Sequence, residues 1–204
     1  MSIKSNNTKR RRALYNLVKI AILSALSSVI MLLEFPIPFL APGFYKLDFS
    51  EVIILIGGFS MGPTAALIME FIKNLINLLI DGSVTGGVGE LANFLIGASF
   101  TVSASIVYKF IKTKKGALIS CLVGCVSLAL VGACINYFIV VPAYASMFGG
   151  IDNIIMTGAQ VNPAVNSLFK FVLICVIPFN LVKGVLCSVI SFLLYKKVSP
   201  ILHL

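Results

Sequence analysis

Three polar side chains interrupt apolar segments in the second half of the sequence: Asn136, Asn180 and Lys183. An amide or an ammonium in apolar surroundings costs free energy unless a partner meets it. Asn180 and Lys183 are three residues apart and share one helical face, and Pro178 removes a backbone hydrogen bond beside them. Asn136 is expected at a similar depth in another segment. Either the three side chains converge on a solute, or each satisfies a nearby carbonyl of the fold.

A second set of polar residues forms a stripe along the segment 63–80. Its members recur on one helical face: Glu70, Lys73, Asn74, Asn77 and Asp81. Glu70 and Lys73 can form an ion pair and neutralise each other, which argues against an ion pathway. The stripe is predicted to face the interior, where it either holds helices together or, at its outer end, reaches a binding pocket.

Residues suited to catalysis or metal binding are scarce. The sole histidine is His203, the second residue from the end, so a histidine-based triad or zinc site within the apolar segments is excluded. No Gly-Lys-Ser/Thr follows the glycine-rich stretch 85–94, so a nucleotide-binding loop is also excluded. The five cysteines lie in apolar segments and are predicted to be packing residues. We therefore predict no catalytic residue, no metal site and no enzyme activity.

The composition is that of a membrane protein. Of 204 residues, 59% are hydrophobic and 11% are charged, and the mean hydropathy is +1.05. Runs such as 118–141 are long enough to cross about 30 Å of hydrocarbon, and the alternating pattern of a membrane barrel is absent. The predicted fold is an all-α integral membrane protein, a compact bundle of transmembrane helices. The first apolar segment has no clear cleavage site and is interpreted as an uncleaved helix.

The distribution of charge predicts the number and direction of the membrane spans. Six candidate spans lie at 13–33, 49–60, 63–80, 91–111, 117–141 and 168–195. With six spans and the N-terminus inside, the basic groups near the N-terminus, at 109–115 and at 196–197 all face the cytoplasm, as the positive-inside rule requires. Both termini are therefore predicted to be cytoplasmic. The formal charge of +9 reflects this topology, so no nucleic-acid partner is expected.

One membrane domain accounts for most of the chain. Residues 1–12 are predicted to form a basic cytoplasmic tail, and residues 13–204 a single six-helix domain in the lipid bilayer. The outer connections are long, at about 34–48, 81–90 and 142–167, whereas the inner ones are short. Long loops crowded on one face of a small bundle usually carry function, so a pocket or lid is expected on the outer side.

Five short motifs together point to one family. They are the small-residue pair Ala21 and Ala25, LDFSEV (47–52), GGVGELANF (86–94), NYF (136–138) and PFNLVKG (178–184). In this combination the chain resembles the riboflavin-binding S components of energy-coupling factor (ECF) transporters, over nearly all of its length beyond the basic N-terminus. The resemblance implies a plasma-membrane subunit that binds the vitamin from outside. It would dock on a membrane coupling protein with two ABC-type ATPases and release the vitamin inward.

The resemblance also implies roles for individual residues, with riboflavin as the transported substrate and no cofactor. The polar ligands of the flavin would be Asn136, Asn180 and Lys183. A loop that closes over the flavin would include Lys46, Leu47, Asp48 and Phe49. Two residues match a family motif near the site, Glu90 and Asn93. The contact with the coupling protein would be made by Ala21 and Ala25. Apolar contact with the flavin ring is expected from Phe39, Phe44, Tyr45 and Phe49.

Three other hypotheses remain open at this point. An S component for another vitamin, such as thiamine or biotin, would share the fold, although Lys183 opposes a cationic thiamine. A non-transporting membrane assembly subunit would use Ala21 and Ala25 for partner contact and bind no solute. A stand-alone facilitator would work without an ATPase partner.

Overall fold

The computed structural model describes the backbone of residues 2–202 and the side chains of residues 10 and 13–194. This part of the chain is mainly helical. Its helices are α1 (Ser2–Met31), α2 (Ser50–Met61), α3 (Pro63–Asp81), α4 (Val88–Phe110), α5 (Lys114–Ile135), α6 (Val141–Met147), α7 (Ile151–Val161), α8 (Leu168–Phe171) and α9 (Ile177–Leu202). Two π-helical segments, Asn136–Val140 and Val172–Val176, join α5 to α6 and α8 to α9.

Five helical stretches within the described residues are long and apolar enough to cross a membrane. They are Ala13–Met31, Pro63–Asp81, Val88–Phe110, Lys114–Met147 and Leu168–Leu194. The predicted second span corresponds to α2, which has 12 residues. This is fewer than the roughly 20 residues that cross the hydrocarbon core. The described part of the chain thus has five helical stretches of spanning length and one shorter apolar helix, α2, where six spans were predicted.

The short helix α2 lies within the bundle and packs against α1, α3, α4 and α9. Most of its residues are buried, as expected for a helix that is apolar on all sides. It ends before Gly62, whose φ of 97° favours glycine, and α3 begins at Pro63. The predicted break between the second and third spans is confirmed. At its other end, α2 carries Ser50 and Glu51 from the first outer connection into the interior.

Two of the connections predicted to lie on the outer side contain structure that the sequence does not predict. In the first, strands β1 (Phe35–Pro36) and β2 (Lys46–Leu47) form an antiparallel pair. Strands of two residues are too short to show an alternating pattern, which explains the missing signal. In the third, α7 packs against α6 and buries Ile154 within a segment predicted as loop.

Apolar side chains pack into two main clusters. The outer cluster includes Phe171 and Phe179, and the inner cluster includes Phe100 and Leu128. Four of the five cysteines are buried, as predicted for packing residues, whereas Cys134 is exposed, and all five are free thiols. Large apolar side chains are also exposed on the outside of the bundle, among them Leu79 and Phe110. Such a surface is suited to a lipid environment.

Candidate functional site

A cavity of about 390 Å³ lies between the outer connections and the neighbouring helix ends. Its volume is within the range of small-molecule sites. Seven of the nine residues that the family resemblance assigns to ligand binding line it: Lys46, Asp48, Glu90, Asn93, Asn136, Asn180 and Lys183. They come from the first outer connection, from α4 and from the two helices that contain π-helical segments. Only the tertiary fold brings these elements together.

Asn136 and Asn180 meet at Gly132 of α5. Asn136 Nδ2 donates to the carbonyl oxygen of Gly132 (2.8 Å). A β-carbon at residue 132 would lie 2.7 Å from Asn180 Nδ2, so α5 and α9 approach closely here because residue 132 has no side chain. Asn180 Nδ2 also donates to the carbonyl oxygen of Val176 (3.0 Å). Both amides stand beside π-helical turns, which are frequent at functional sites.

Tyr45 contributes an aromatic wall and a hydrogen bond to the same cavity. Its hydroxyl donates to Asn136 Oδ1 (2.6 Å), and its ring centroid is 5.6 Å from that of Phe179. Burial raises the pKa of Tyr45, so the hydroxyl remains a donor at physiological pH. The aromatic wall also includes Phe44, Tyr144 and Phe148.

Lys183 lines the cavity with its ammonium held between two carboxylates. Its Nζ is 2.8 Å from Asp48 Oδ2 and 3.4 Å from Glu51 Oε1, and all three residues are buried. Burial alone would raise the pKa of Asp48, but attraction to the Lys183 ammonium outweighs it and holds this pKa well below its usual range. The backbone N–H of Ser50 donates to Asp48 Oδ1 (2.8 Å) at the start of α2, where the helix dipole favours an anion.

The rim of the cavity, defined by Glu34, Lys46, Asp81 and Glu90, is also charged. Lys46 Nζ is 2.5 Å from Glu34 Oε1, and this hydrogen bond raises the pKa of Lys46. Glu90 Oε2 accepts a hydrogen bond from the Ser83 hydroxyl (2.8 Å), and Asp81 is exposed. Five carboxylates and two ammonium groups line the whole cavity. Among the described residues, no group of three or more His, Cys, Asp or Glu side chains is arranged to hold a metal ion.

The chain matches the family model for the substrate-specific component of ECF transporters over residues 15–195. This chain belongs to that family. The riboflavin transporter RibU of Staphylococcus aureus (strain TCH60) is 35% identical to it over 91% of this chain and 91% of the relative. The riboflavin transporter FmnP of Bacillus subtilis (strain 168) is 33% identical over 90% of this chain and 92% of the relative.

A solved structure shows the same architecture. It is the S component of a bacterial ECF transporter, with a TM-score of 0.70 and 33% identity, and the match covers 92% of this chain and 96% of that one. The present chain is therefore a substrate-specific (S) component of a transporter, and its long apolar helices are those of a multi-pass membrane protein.

Three residues that were predicted to contact or cover the ligand do not line the cavity: Leu47, Phe49 and Phe39. Leu47 is fully buried in the outer apolar cluster, and the ring of Phe49 lies 6.2 Å from that of Phe35. Phe39 is 85% exposed and does not line the cavity, so its contact with a flavin ring stays a prediction. The aromatic wall is formed instead by Tyr45 and the rings around it.

The two alanines of α1 lie on the outside of the S component. Ala21 and Ala25 are exposed, whereas Ser24 and Ser28, on another face of the same helix, are buried. A strip of small residues that faces outwards permits close approach of another helix. Their position is compatible with contact to a partner and gives them no part in the cavity.

Several positions of the site were not identified from the sequence, among them Glu51, Gly132 and the aromatic residues Tyr144, Phe148 and Phe179. Glu51, which contacts Lys183, is the second acidic residue of the LDFSEV motif, and its place three residues after Asp48 was the available signal. Gly132 is one of 16 glycines, and nothing in the sequence distinguishes it from the others. Gly132 belongs to the site because the Asn180 side chain packs against it.

Proposed function

We propose that this S component binds riboflavin from outside and delivers it for import. The observation that carries the proposal is the convergence of Asn136, Asn180 and Lys183 on one cavity beside an aromatic wall. The names of the relatives, which are riboflavin transporters, support the same substrate. Riboflavin is the transported substrate in this proposal and not a cofactor.

The chemistry of riboflavin suits the lining of the cavity. Its flat ring has an apolar edge for Phe44 and Tyr45, and its dione edge carries carbonyl oxygens and one N–H group. The amides of Asn136 and Asn180 supply donors and acceptors for that edge, and the Lys183 ammonium donates to a carbonyl or hydroxyl oxygen. A mostly apolar cavity with a few fixed polar groups is typical of small-molecule sites.

Six further residues belong to the proposed site: Lys46, Leu47, Asp48, Phe49, Glu90 and Asn93. The segment 46–49 joins the rim of the cavity to the Lys183 carboxylate partners, so its position governs access to the ligand. Leu47 and Phe49 would act by anchoring this segment in the apolar core, since neither lines the cavity.

The proposal includes the orientation and the partners of the protein. Helix α2 is counted as a short sixth span, and both termini are cytoplasmic, so the cavity faces outside. The exposed face of α1 with Ala21 and Ala25 would contact a membrane coupling protein in the plasma membrane. Two ABC-type ATPases bound to that coupling protein would supply the energy for inward release.

A fluorescence titration of the detergent-purified protein tests the substrate. Riboflavin fluorescence should be quenched to saturation at a stoichiometric ratio, and an excess of biotin or thiamine should leave the quenching unchanged. Well-folded protein that produces no saturable quenching would contradict the proposal.

Thiamine is the informative competitor in this titration. The Lys183 ammonium is compensated by Asp48 and Glu51, so the expectation that it repels a cationic ligand has no support in the structure. Carboxylates also outnumber ammonium groups in the lining of the cavity, which favours a cation. Displacement of riboflavin by thiamine at equal concentration would assign the site to the other vitamin.

A further inference from the structure

Five buried charged groups form a chain of ion pairs that begins at the cavity: Asp48, Lys183, Glu51, Lys73 and Glu70. Lys183 contacts Asp48 and Glu51, as described above. Lys73 Nζ lies 3.2 Å from Glu51 Oε1 and 2.5 Å from Glu70 Oε1. The charges alternate along the chain, and both ends are carboxylates. Anions therefore outnumber cations by one in this network.

The Glu70 end of the network is enclosed by protein. Glu70 and Lys73 have no exposed surface, and neither lines the cavity. Both belong to the membrane-spanning stretch of α3. An uncompensated charge is strongly unfavourable in such surroundings, where water does not solvate it. The surplus negative charge therefore requires one more positive charge.

The groups in and around the network, other than those of α3, come from α1, α2, α4 and α9. A β-carbon at Gly97 of α4 would lie 2.3 Å from Glu70 Oε1, so α4 closes off that side with backbone. Helix α1 presents Ser28, whose hydroxyl donates to main-chain carbonyls of α1 and α3. Helix α2 contributes Glu51, and α9 contributes Lys183 and the thiol of Cys187. Within the described part of the chain, the cation in contact with Glu70 is Lys73.

Among the described residues, four buried side-chain atoms have no hydrogen-bond partner: Ser24 Oγ, Glu51 Oε1, Glu70 Oε2 and Asn74 Oδ1. Glu51 Oε1 lies near two ammonium groups, whereas Glu70 Oε2 and Asn74 Oδ1 are unpartnered acceptors at the Glu70 end of the network. Glu70 and Asn74 are one helical turn apart, and Asn74 Nδ2 lies 3.3 Å from Glu70 Oε1 and 2.8 Å from the Glu70 main-chain oxygen. Two acceptors cannot bond to each other, whereas a carboxylic acid is a donor. One proton on Glu70 would remove the surplus charge and supply the missing donor.

We propose that Glu70 is a proton-binding site, held as a neutral carboxylic acid at the inner end of the network. The four remaining groups then balance: Asp48, Lys183, Glu51 and Lys73. Lys183 then lies beside the cavity as part of a network that carries no net charge. An uncharged solute can bind at such a site without bringing a counter-ion with it.

Infrared spectroscopy of the purified protein tests the bound proton directly. At neutral pH the wild type should show the C=O stretching band of a protonated carboxylic acid, and Glu70→Gln should remove that band. Glu34→Gln makes the same chemical change in the rim ion pair and should leave the band in place. A wild type without the band, or a band that survives Glu70→Gln, would overturn the proposal.

Thermal unfolding gives a second test, because glutamine copies the shape and the donor of a neutral acid. Glu70→Gln is expected to unfold within a few degrees of the wild type. Glu51→Gln removes the anion between two ammonium groups and is expected to lower the midpoint by roughly 10 °C or more. Equal destabilisation by the two changes, or failure of Glu70→Gln to fold, would show that Glu70 is a carboxylate.

The same unfolding experiment distinguishes a proton from a metal cation. Wild-type protein is compared in sodium chloride and in choline chloride of equal ionic strength. Equal midpoints are expected, since the site holds a proton. A midpoint that rises with sodium alone would assign the missing positive charge to a sodium ion and overturn the proposal.

Discussion

Asn180 of α9 lies against Gly132 of α5, with its amide nitrogen 2.7 Å from the position that a β-carbon at residue 132 would occupy. The contact is closer than van der Waals distance, so Gly132→Ala must displace the Asn180 amide. We expect riboflavin affinity to fall about tenfold, which corresponds to the loss of about one hydrogen bond. A fluorescence titration measures the change.

Gly43→Ala is the matched control for this variant, because a β-carbon at Gly43 meets no atom within 4 Å. It should bind riboflavin as the wild type does. Unchanged affinity in folded Gly132→Ala would show that the Asn180 amide does not contact the ligand.

Replacement of Lys183 should abolish tight binding. Lys183→Met removes a buried ammonium from the cavity, and we expect riboflavin affinity to fall by about a hundredfold or more. The change also leaves Asp48 and Glu51 partly uncompensated, at a cost of about 3–5 kcal/mol in the free energy of unfolding. Titration of the folded fraction, isolated by size-exclusion chromatography, measures binding separately from stability.

Lys170→Met serves as the control for Lys183→Met, since Lys170 is exposed and does not line the cavity. It should preserve both binding and stability. The double variant Asp48→Asn with Lys183→Met should regain part of the stability without regaining affinity. Recovery of both would mean that Lys183 acts on the fold and not on the ligand.

The Asp48–Lys183 pair predicts a pH dependence that changes sign when Lys183 is replaced. In the wild type the pKa of Asp48 lies well below its usual range, so its stabilising contribution is present above about pH 4 and is lost only at lower pH. In Lys183→Met burial remains, and it opposes only the weaker attraction to Lys73 and the Ser50 hydrogen bonds. Because burial is the largest of these effects, the pKa of Asp48 should rise above its unfolded value. The stability of this variant should then fall as pH rises.

Thermal midpoints at about pH 5 and about pH 8 test this expectation. Lys183→Met should be more stable at the lower pH, and the wild type should change far less. Adding Asp48→Asn to the variant should remove the difference. A variant whose stability instead rises with pH would contradict the role given to this pair.

The surplus of carboxylates around the cavity predicts weaker binding of a phosphorylated flavin. Asp81 is exposed at the rim, and at about 8 Å it would repel a phosphate dianion by about 1 kcal/mol in water before screening. Asp81→Asn should therefore raise the affinity for flavin mononucleotide by about fivefold at low ionic strength and leave that for uncharged riboflavin unchanged. Titrations at low and high salt measure both affinities.

Asp152→Asn provides the matched control, since Asp152 is exposed on α7 and does not line the cavity. It makes the same charge change and should alter neither affinity. An equal effect of both variants would indicate a general charge effect and no specific role for Asp81.

The apolar helices and the polar positions within them were predictable from the sequence. Hydropathy is a property of each segment by itself, so the apolar stretches and the break between α2 and α3 could be placed before any contact was known. The same local reasoning identified three polar residues, Asn136, Asn180 and Lys183. An unpaired polar side chain within an apolar segment costs free energy. The pairing of Glu70 with Lys73 was also predictable, since one helical turn joins them.

Contacts between distant parts of the chain could not be predicted from the hydropathy or the periodicity of single segments. Lys183 is 135 residues from Asp48, and Tyr45 is 91 residues from Asn136. No local period relates such pairs, and the sequence therefore presented Lys183 as a free cation when its charge is in fact compensated. The contact of Gly132 with Asn180 likewise depends on the packing of α5 against α9.

The amino-acid sequence by itself determined that this chain is a helical membrane protein with polar groups reserved within its apolar segments. The tertiary structure decided which of those groups meet in one cavity, and which of them are already paired. The physical reason is that hydrophobicity acts on each segment separately, whereas an ion pair or a close packing contact exists only when two segments are brought within a few ångströms of each other.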